Sequence, residues 1–262
     1  MAQSDDILLI INACGYPTDQ PNTTTDFVGY YLDRRQNYLK EFQDLFELAK
    51  LFDEKRKNSL WGYITSSWTR FEYVLFAKDQ INKVHKTPIN NNSQFLIETF
   101  MYNFIITLYS LLDSLAWIIH HWYKLNLPRM QITLNFSSKD ELKKKIQLLN
   151  KPLADYLEKG DIQDWINYIQ DYRDCIQHRQ RVQIMPEYNE TLGYKRMVIE
   201  LKPGLHQFYP NLSYDSFEEA YMPVWEKYGT TMEPVNDFCD KHFSKLLGII
   251  ENVSKCIKAQ PN

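Results

Sequence analysis

One stretch of the chain, residues 94–125, is apolar on nearly every side of the helix that it predicts. A helix of this kind must be surrounded by other elements, so the stretch predicts the central helix of a bundle. Its most apolar part, residues 104–119, contains Asp113 and is shorter than the roughly 20 residues that span a bilayer. We therefore expect a buried core helix and no membrane insertion.

The glycine content also favours long helices over a sheet of many strands. Only 8 of the 262 residues are glycine, which is about 3% against a typical 7%, so few positions with positive φ are supplied. Hydrophobic residues make up 44% of the chain and charged residues 24%. These values are globular and exclude disorder over most of the chain.

Helical patterns flank the central helix on both sides. Apolar residues at three- and four-residue steps predict long helices at 60–86 and 161–179. Further helices are predicted at 26–57, 214–228 and 230–259, and a Ser137/Ser138-x-x-Glu141 pattern predicts a capping box that opens a short basic helix through Leu149. Residues 182–202 contain two β-rich runs around a Gly-containing turn and predict an inserted hairpin. The expected fold is all-α: an up-and-down bundle of about five long helices with an inserted β-hairpin at about 182–202.

Charge and cysteine usage limit the classes of protein that fit. The chain has 30 Lys and Arg against 33 Asp and Glu, a net charge of −3, so it lacks the overall basic field of non-specific duplex binders. Near the start, Asp5 and Asp6 stand where a secretory signal carries basic residues. The cysteines share no metal-ligand spacing, which predicts reduced thiols in a cytoplasmic protein; they are Cys14, Cys175, Cys239 and Cys256.

The predicted helix at 161–179 carries an arginine in an unusual place. With 100° per residue counted from Ile162, its apolar side chains fall on one face, and Arg173, at about 20°, flanks this buried stripe. A guanidinium there must snorkel, pair with a carboxylate or face a polar cavity that takes an anion. Asp174 lies at about 120° and His178 at about 160° on the same wheel.

The segment Tyr172-Arg173-Asp174-Cys175-Ile176-Gln177-His178 resembles the Arg-x(4–6)-His motif of the HEPN family, the higher eukaryotes and prokaryotes nucleotide-binding domains. A polar residue commonly follows the arginine in that family, as Asp174 does here. The stretch FIITLYSLLDSLAWII at 104–119 is similar to the preceding helix of bacterial members. The resemblance covers about 60–180 and the last helix. It implies one HEPN-like domain over 1–262, with a core at about 60–180 and 230–258 and with the helix at 26–57 and the hairpin at 182–202 as elaborations.

The resemblance implies a metal-independent endoribonuclease, without cofactor, of a toxin–antitoxin or phage-defence system. His178 would take the 2′-hydroxyl proton and Arg173 would hold the phosphate, with Asp174 orienting His178 or the substrate. Arg179 and Arg181 lie just beyond the motif, where they would bind the RNA backbone. Family members of this kind are homodimers whose two motifs line one cleft, and an antitoxin or defence-system protein is an expected partner.

The about 140° between Arg173 and His178 on a straight helix keeps the two side chains apart within one chain. Either the helix ends or bends before His178, or the site is completed across a two-fold axis.

Two alternatives to the ribonuclease remain open at the level of sequence. A HEPN-like bundle that no longer cleaves would serve as a nucleotide-binding, RNA-binding or protein-interaction module. An unrelated helical protein would pair Arg173 with an acid such as Asp113, although an ordinary structural hydrogen bond is the commoner fate of a buried carboxylate.

His120 and His121 are interpreted as polar residues at a helix end, because adjacent helical residues point about 100° apart and no third ligand follows.

Overall fold

The structure is a computed structural model, and it describes residues 57–136, 139–179, 182, 184–189, 193–200 and 232–259. All of them belong to one compact unit, Asp44–Asn262. The predicted helix at 214–228, and that at 26–57 except for its last residue, lie outside the described residues.

The described part is mostly helical, as predicted. Its helices are α1 (Lys57–His85), α2 (Asn91–Trp122), α3 (Glu141–Leu149), α4 (Lys151–Leu157), α5 (Gly160–Asp174) and α6 (Val235–Ala259). A 3₁₀ turn lies at Arg129–Gln131, and a π-helical turn, Cys175–Arg179, follows α5. Its strands are β1 (Ile184–Asn189), β2 (Gly193–Glu200) and β3 (Met232–Pro234).

Helix α2 is the central element that its sequence predicts. It begins with a capping box, in which the Asn90 side chain accepts from the backbone N–H of Ser93 and the Ser93 side chain accepts from that of Asn90. Helix α1 runs antiparallel to α2, and α5 and α6 also pack against it. Within the described residues α2 is the one helix long and apolar enough to cross a membrane by composition, yet half of its most apolar window is buried in the protein (50%).

The predicted hairpin is confirmed, and it belongs to a larger sheet than expected. Strand β2 pairs antiparallel with both β1 and β3. The prediction of a helix from residue 230 is wrong at its start, because Met232–Pro234 is a strand and α6 begins only at Val235. Proline explains this boundary, since it disfavours the α conformation for the residue before it, here Glu233.

Sequence patterning missed the short helix α4. Asn150 is the residue on which this helix depends: it follows α3, and its side-chain oxygen accepts from the backbone N–H of Leu153 at 3.0 Å. A proline also stands in the first turn of α4, where its missing N–H is harmless.

Candidate functional site

Helix α5 presents the predicted apolar face to the core. Its buried residues are Ile162, Trp165, Ile166, Ile169 and Tyr172, which confirms five of the six predicted positions; the sixth, Ile176, lies in the π-helical turn and is partly exposed. Arg173 follows directly after this face, and 23% of its side chain is exposed. The arginine therefore lies at the edge of the core, as its angle predicts.

The α-helix ends at Asp174, before His178 is reached. The next five residues, Cys175–Arg179, form a π-helical turn, in which hydrogen bonds run from i to i+5. Such a turn rotates less per residue than an α-helix, so it brings backbone position 178 nearer to the face of Arg173 than a straight helix does. Of the two alternatives from the sequence, the early helix end is the one observed.

Arg173 makes its contacts on α5, on the turn and on α2. Its Nε lies 3.1 Å from Oδ1 of Asp174, and one terminal nitrogen donates to Oε1 of Gln177 at 3.4 Å. Its central carbon lies 4.3 Å from the ring centroid of Tyr109, a cation–π geometry. The Nε is buried and has no hydrogen-bond partner within the described residues, because the close Asp174 oxygen is not aligned with it.

The structure brings together two of the five predicted site residues. Arg173 and Asp174 are neighbours, and 26% of the Asp174 side chain is exposed. For His178 and Arg179 only the backbone is described, in the π turn, and Arg181 lies outside the described residues. The roles of these three side chains stay predictions.

Asp113 lies on α2 between two arginines from different helices. Burial raises the pKa of its carboxyl to about 6, although the charges of Arg173 and Arg70 act in the opposite direction. In the part of the chain that the structure describes, no ion pair joins Asp113 to either arginine. The Asp113–Arg173 salt bridge, which the sequence left open as the less common alternative, is therefore not formed, and both guanidinium groups act on the carboxylate only through their charge.

Arg70 is a residue that sequence reasoning missed. Its Nε donates to Oγ of Ser110 at 2.6 Å, and a terminal nitrogen donates to Oγ of Ser66. An arginine among the apolar positions of α1 was the available signal, but only the pairing of α1 with α2 shows that it faces Ser110. Arg70 from α1 and Arg173 from α5 thus both act on Asp113.

A stack of partly exposed aromatic rings lies further along the same pair of helices. The Tyr63 and Trp117 rings are parallel with centroids 5.5 Å apart, and the His121 ring stacks 4.7 Å from Tyr63. His120 meets His121 edge-on. Burial lowers the pKa of both histidines and so favours the neutral form of their rings. Among the described residues no group of three or more His, Cys, Asp or Glu side chains is placed to hold a metal ion.

Comparisons with protein-family models, curated proteins and solved structures find no match.

Proposed function

We propose that this protein is a metal-independent endoribonuclease of the HEPN type. The observation that carries the proposal is the end of α5, where Arg173 and Asp174 stand 3.1 Å apart directly before a π turn that contains position 178. π turns at helix irregularities occur frequently at functional sites. The arrangement offers a cation, a carboxylate and an imidazole within one short segment.

In the proposed reaction a 2′-hydroxyl oxygen attacks the adjacent phosphorus, and the bond from phosphorus to the 5′-oxygen breaks. His178 accepts the 2′-hydroxyl proton as general base. Arg173 stabilises the charge on the phosphate with its forked donors. Asp174 orients His178 or the substrate, and Arg179 and Arg181 bind the RNA backbone. The products are a 2′,3′-cyclic phosphate end and, after protonation of the leaving oxygen, a 5′-hydroxyl end.

The proposal includes the HEPN-like architecture, a single domain formed by an up-and-down bundle of about five long helices. It also includes a cytoplasmic homodimer that acts in toxin–antitoxin or phage-defence systems, with an antitoxin or defence protein as partner. The buried central helix α2 and the position of the motif at the end of the helix that packs on it support this architecture.

The test is cleavage of labelled structured and single-stranded RNAs by the purified full chain in EDTA. We expect cyclic-phosphate products and a loss of about 100-fold or more in rate for His178→Ala and for Arg173→Ala. His85→Ala and Arg129→Ala are the matched controls outside the candidate site and should cleave like the wild type. Wild-type cleavage rates in both site variants would contradict the proposal.

Mixing two inactive variants tests whether the site is shared between subunits. If Arg173 of one subunit acts with His178 of its partner, mixed dimers of Arg173→Ala and His178→Ala retain one intact site. Random mixing then restores about a quarter of the wild-type activity. No recovery, from dimers shown by light scattering to exchange subunits, places Arg173 and His178 of one chain in the same site.

A non-catalytic HEPN-like module that binds nucleotide, RNA or protein is the second candidate. It is favoured by the contacts of Arg173 with Tyr109 and Gln177, which give the arginine a structural role within the chain. The net charge of −3 points the same way. A confirmed dimer that binds RNA and leaves it intact would establish this candidate over the first.

A further inference from the structure

Helices α1 and α2 share a strip of partly exposed side chains whose two ends differ in chemistry. We call it the α1–α2 strip; its members are Tyr63, Arg70, Ser110, Asp113, Trp117 and His121. Arg70 is tied to Ser110 at one end, and the three stacked rings form the other end.

The cationic end is continuous with the candidate site. Asp113 lies one turn of α2 from Tyr109, on which the guanidinium of Arg173 packs, and three residues from Ser110, to which Arg70 donates. Two guanidinium groups thus act on one half-buried carboxylate that pairs directly with neither among the described residues. Of the two, Arg173 already has Asp174 beside it, whereas Arg70 donates to two hydroxyl groups and forms no ion pair among the described residues, so its charge suits a phosphate of a bound strand.

The aromatic end suits a base. Trp117 lies parallel to Tyr63 at an interplanar angle of 0°, and His121 is within 26° of both rings. A set of near-parallel rings at a partly exposed surface is a platform on which an unpaired base stacks, whatever its identity. Ser110 and Trp117 are seven residues apart along α2, which is about 10 Å of helix, on the order of three nucleotides at the 3.4 Å spacing of a stacked strand.

We infer that the α1–α2 strip binds single-stranded RNA, with Arg70 on a phosphate beside the candidate site and the Tyr63–Trp117–His121 rings under a base. The choice of RNA as ligand rests on the proposed function. A duplex does not fit this chemistry, because its base faces are stacked inside the helix and are not available to the rings.

The test is the affinity of a fluorescently labelled single-stranded RNA, followed by anisotropy in EDTA, for the full chain carrying His178→Ala to prevent cleavage. Trp117→Leu should weaken binding about five-fold or more, the lower end of the effect of removing one stacking ring. An oligonucleotide with abasic central residues should bind the parent protein correspondingly weakly. The Trp117→Leu protein should bind the intact and abasic oligonucleotides equally well.

Arg70 is tested by the salt dependence, which counts phosphate contacts. Arg70→Gln should lower the slope of log affinity against log salt concentration by about 0.7, the value for one contact on a single strand. Trp117→Leu should leave that slope unchanged. The controls are Arg129→Gln for the charge and Phe95→Leu for the ring; Phe95 is 67% exposed and lies about 22 Å from Ser110 along α2. Both should bind like the parent.

Any of three results would contradict RNA binding at the α1–α2 strip: duplex RNA bound as tightly as single-stranded RNA, no saturable binding, or parent-like binding by both Trp117→Leu and Arg70→Gln. Trp117→Tyr, which keeps a ring, should restore most of the affinity, and far-ultraviolet circular dichroism shows whether each variant is folded. If the wild type cleaves RNA but both variants bind like the parent, the strip is not the binding site and the ribonuclease proposal stands. If binding depends on the strip but no cleavage occurs, the strip is the binding site and the ribonuclease proposal is wrong.

Discussion

The guanidinium of Arg173 packs on the ring of Tyr109, with 4.3 Å between its central carbon and the ring centroid. This contact links the end of α5 to the middle of α2. Tyr109 is 7% exposed, and its hydroxyl donates to Oε1 of Gln170 at 3.1 Å, so the ring that supports the arginine is itself fixed. Arg173 is therefore held toward Asp113 by the core of the protein.

The first prediction separates the ring of Tyr109 from its hydroxyl. Tyr109→Phe removes one hydrogen bond and should lower the free energy of unfolding by about 1 kcal/mol, since Gln170 keeps a donor from Asn135 at 2.5 Å. Tyr109→Leu also removes the ring beneath Arg173 and should cost about 1–2 kcal/mol more. Urea unfolding measures both. In a double-mutant cycle with Arg173→Ala, zero coupling would show that the contact contributes nothing.

The second prediction concerns Asp113 and the pH dependence of stability. Its pKa is about 6 in the folded protein against 3.8 as the ordinary value, so the folded state binds more protons between pH 4 and pH 6. Stability should therefore fall as the pH rises through this window and stay lower above it. The groups that act on this carboxyl are Arg173, Arg70 and Tyr109.

Asp113→Asn cannot ionise and should match the wild type near pH 4 but exceed its free energy of unfolding at pH 7 by about 2 kcal/mol. Urea unfolding at both pH values gives the difference. Asp155→Asn, at an exposed position on α4, should keep the wild-type profile. If the Asp113→Asn protein has the same pH profile as the wild type, the assignment of this pH dependence to Asp113 is wrong.

The third prediction concerns a buried histidine. His242 is 1% exposed, and its Nδ1 accepts a hydrogen bond from the indole nitrogen of Trp165 at 2.8 Å. Burial, with a smaller effect of the Lys241 charge, lowers its pKa to about 3. The unfolded state therefore binds more protons between pH 3 and pH 6.5, so stability from this group is lost as the pH falls below 6.5.

At pH 5 this loss should be about 2 kcal/mol relative to pH 7. His242→Gln retains an acceptor for Trp165 and should remove that acid loss, even if the variant is less stable at pH 7. The quantity to compare is the difference in free energy of unfolding between variant and wild type at each pH, because Asp113 contributes with the opposite sign in the same pH range. His85→Gln is the control; if it flattened the profile as much as His242→Gln does, the assignment to His242 would be wrong.

The sequence predicted what local periodicity determines and missed what depends on the contacts between distant segments. The apolar face of α5 places Arg173 at the core edge, and the structure agrees. Because α5 ends at Asp174, the angle around the helix axis between positions 173 and 178 differs from that in a straight α-helix. A helical wheel that assumes 100° per residue cannot predict this change. Arg70 and Trp117 join the candidate surface only because α1 and α2 pair antiparallel in one register.

Strand β3 shows the same limit for regular structure. Three residues next to a long helical pattern become a strand because β2 offers them backbone partners, although β2 lies more than thirty residues earlier in the chain. The proline at position 234 was the local signal available, because it restrains the residue before it from helical geometry. The partner strand itself was not deducible from that signal.

The last prediction tests the buried junction at Asn150. Its side chain caps α4 through the N–H of Leu153, and its Nδ2 donates to the hydroxyl of Tyr123 at 2.6 Å and to the carbonyl of Cys256 at 2.8 Å. Asn150→Ala leaves those groups without these bonds in a fully buried position (0% exposed) and should lower the free energy of unfolding by about 2–4 kcal/mol. Asn90→Ala, which removes the exposed cap of α2, is the matched control and should cost only about 1 kcal/mol. Equal losses in the two variants would show that Asn150 acts as a helix cap alone and does not join α2, α4 and α6.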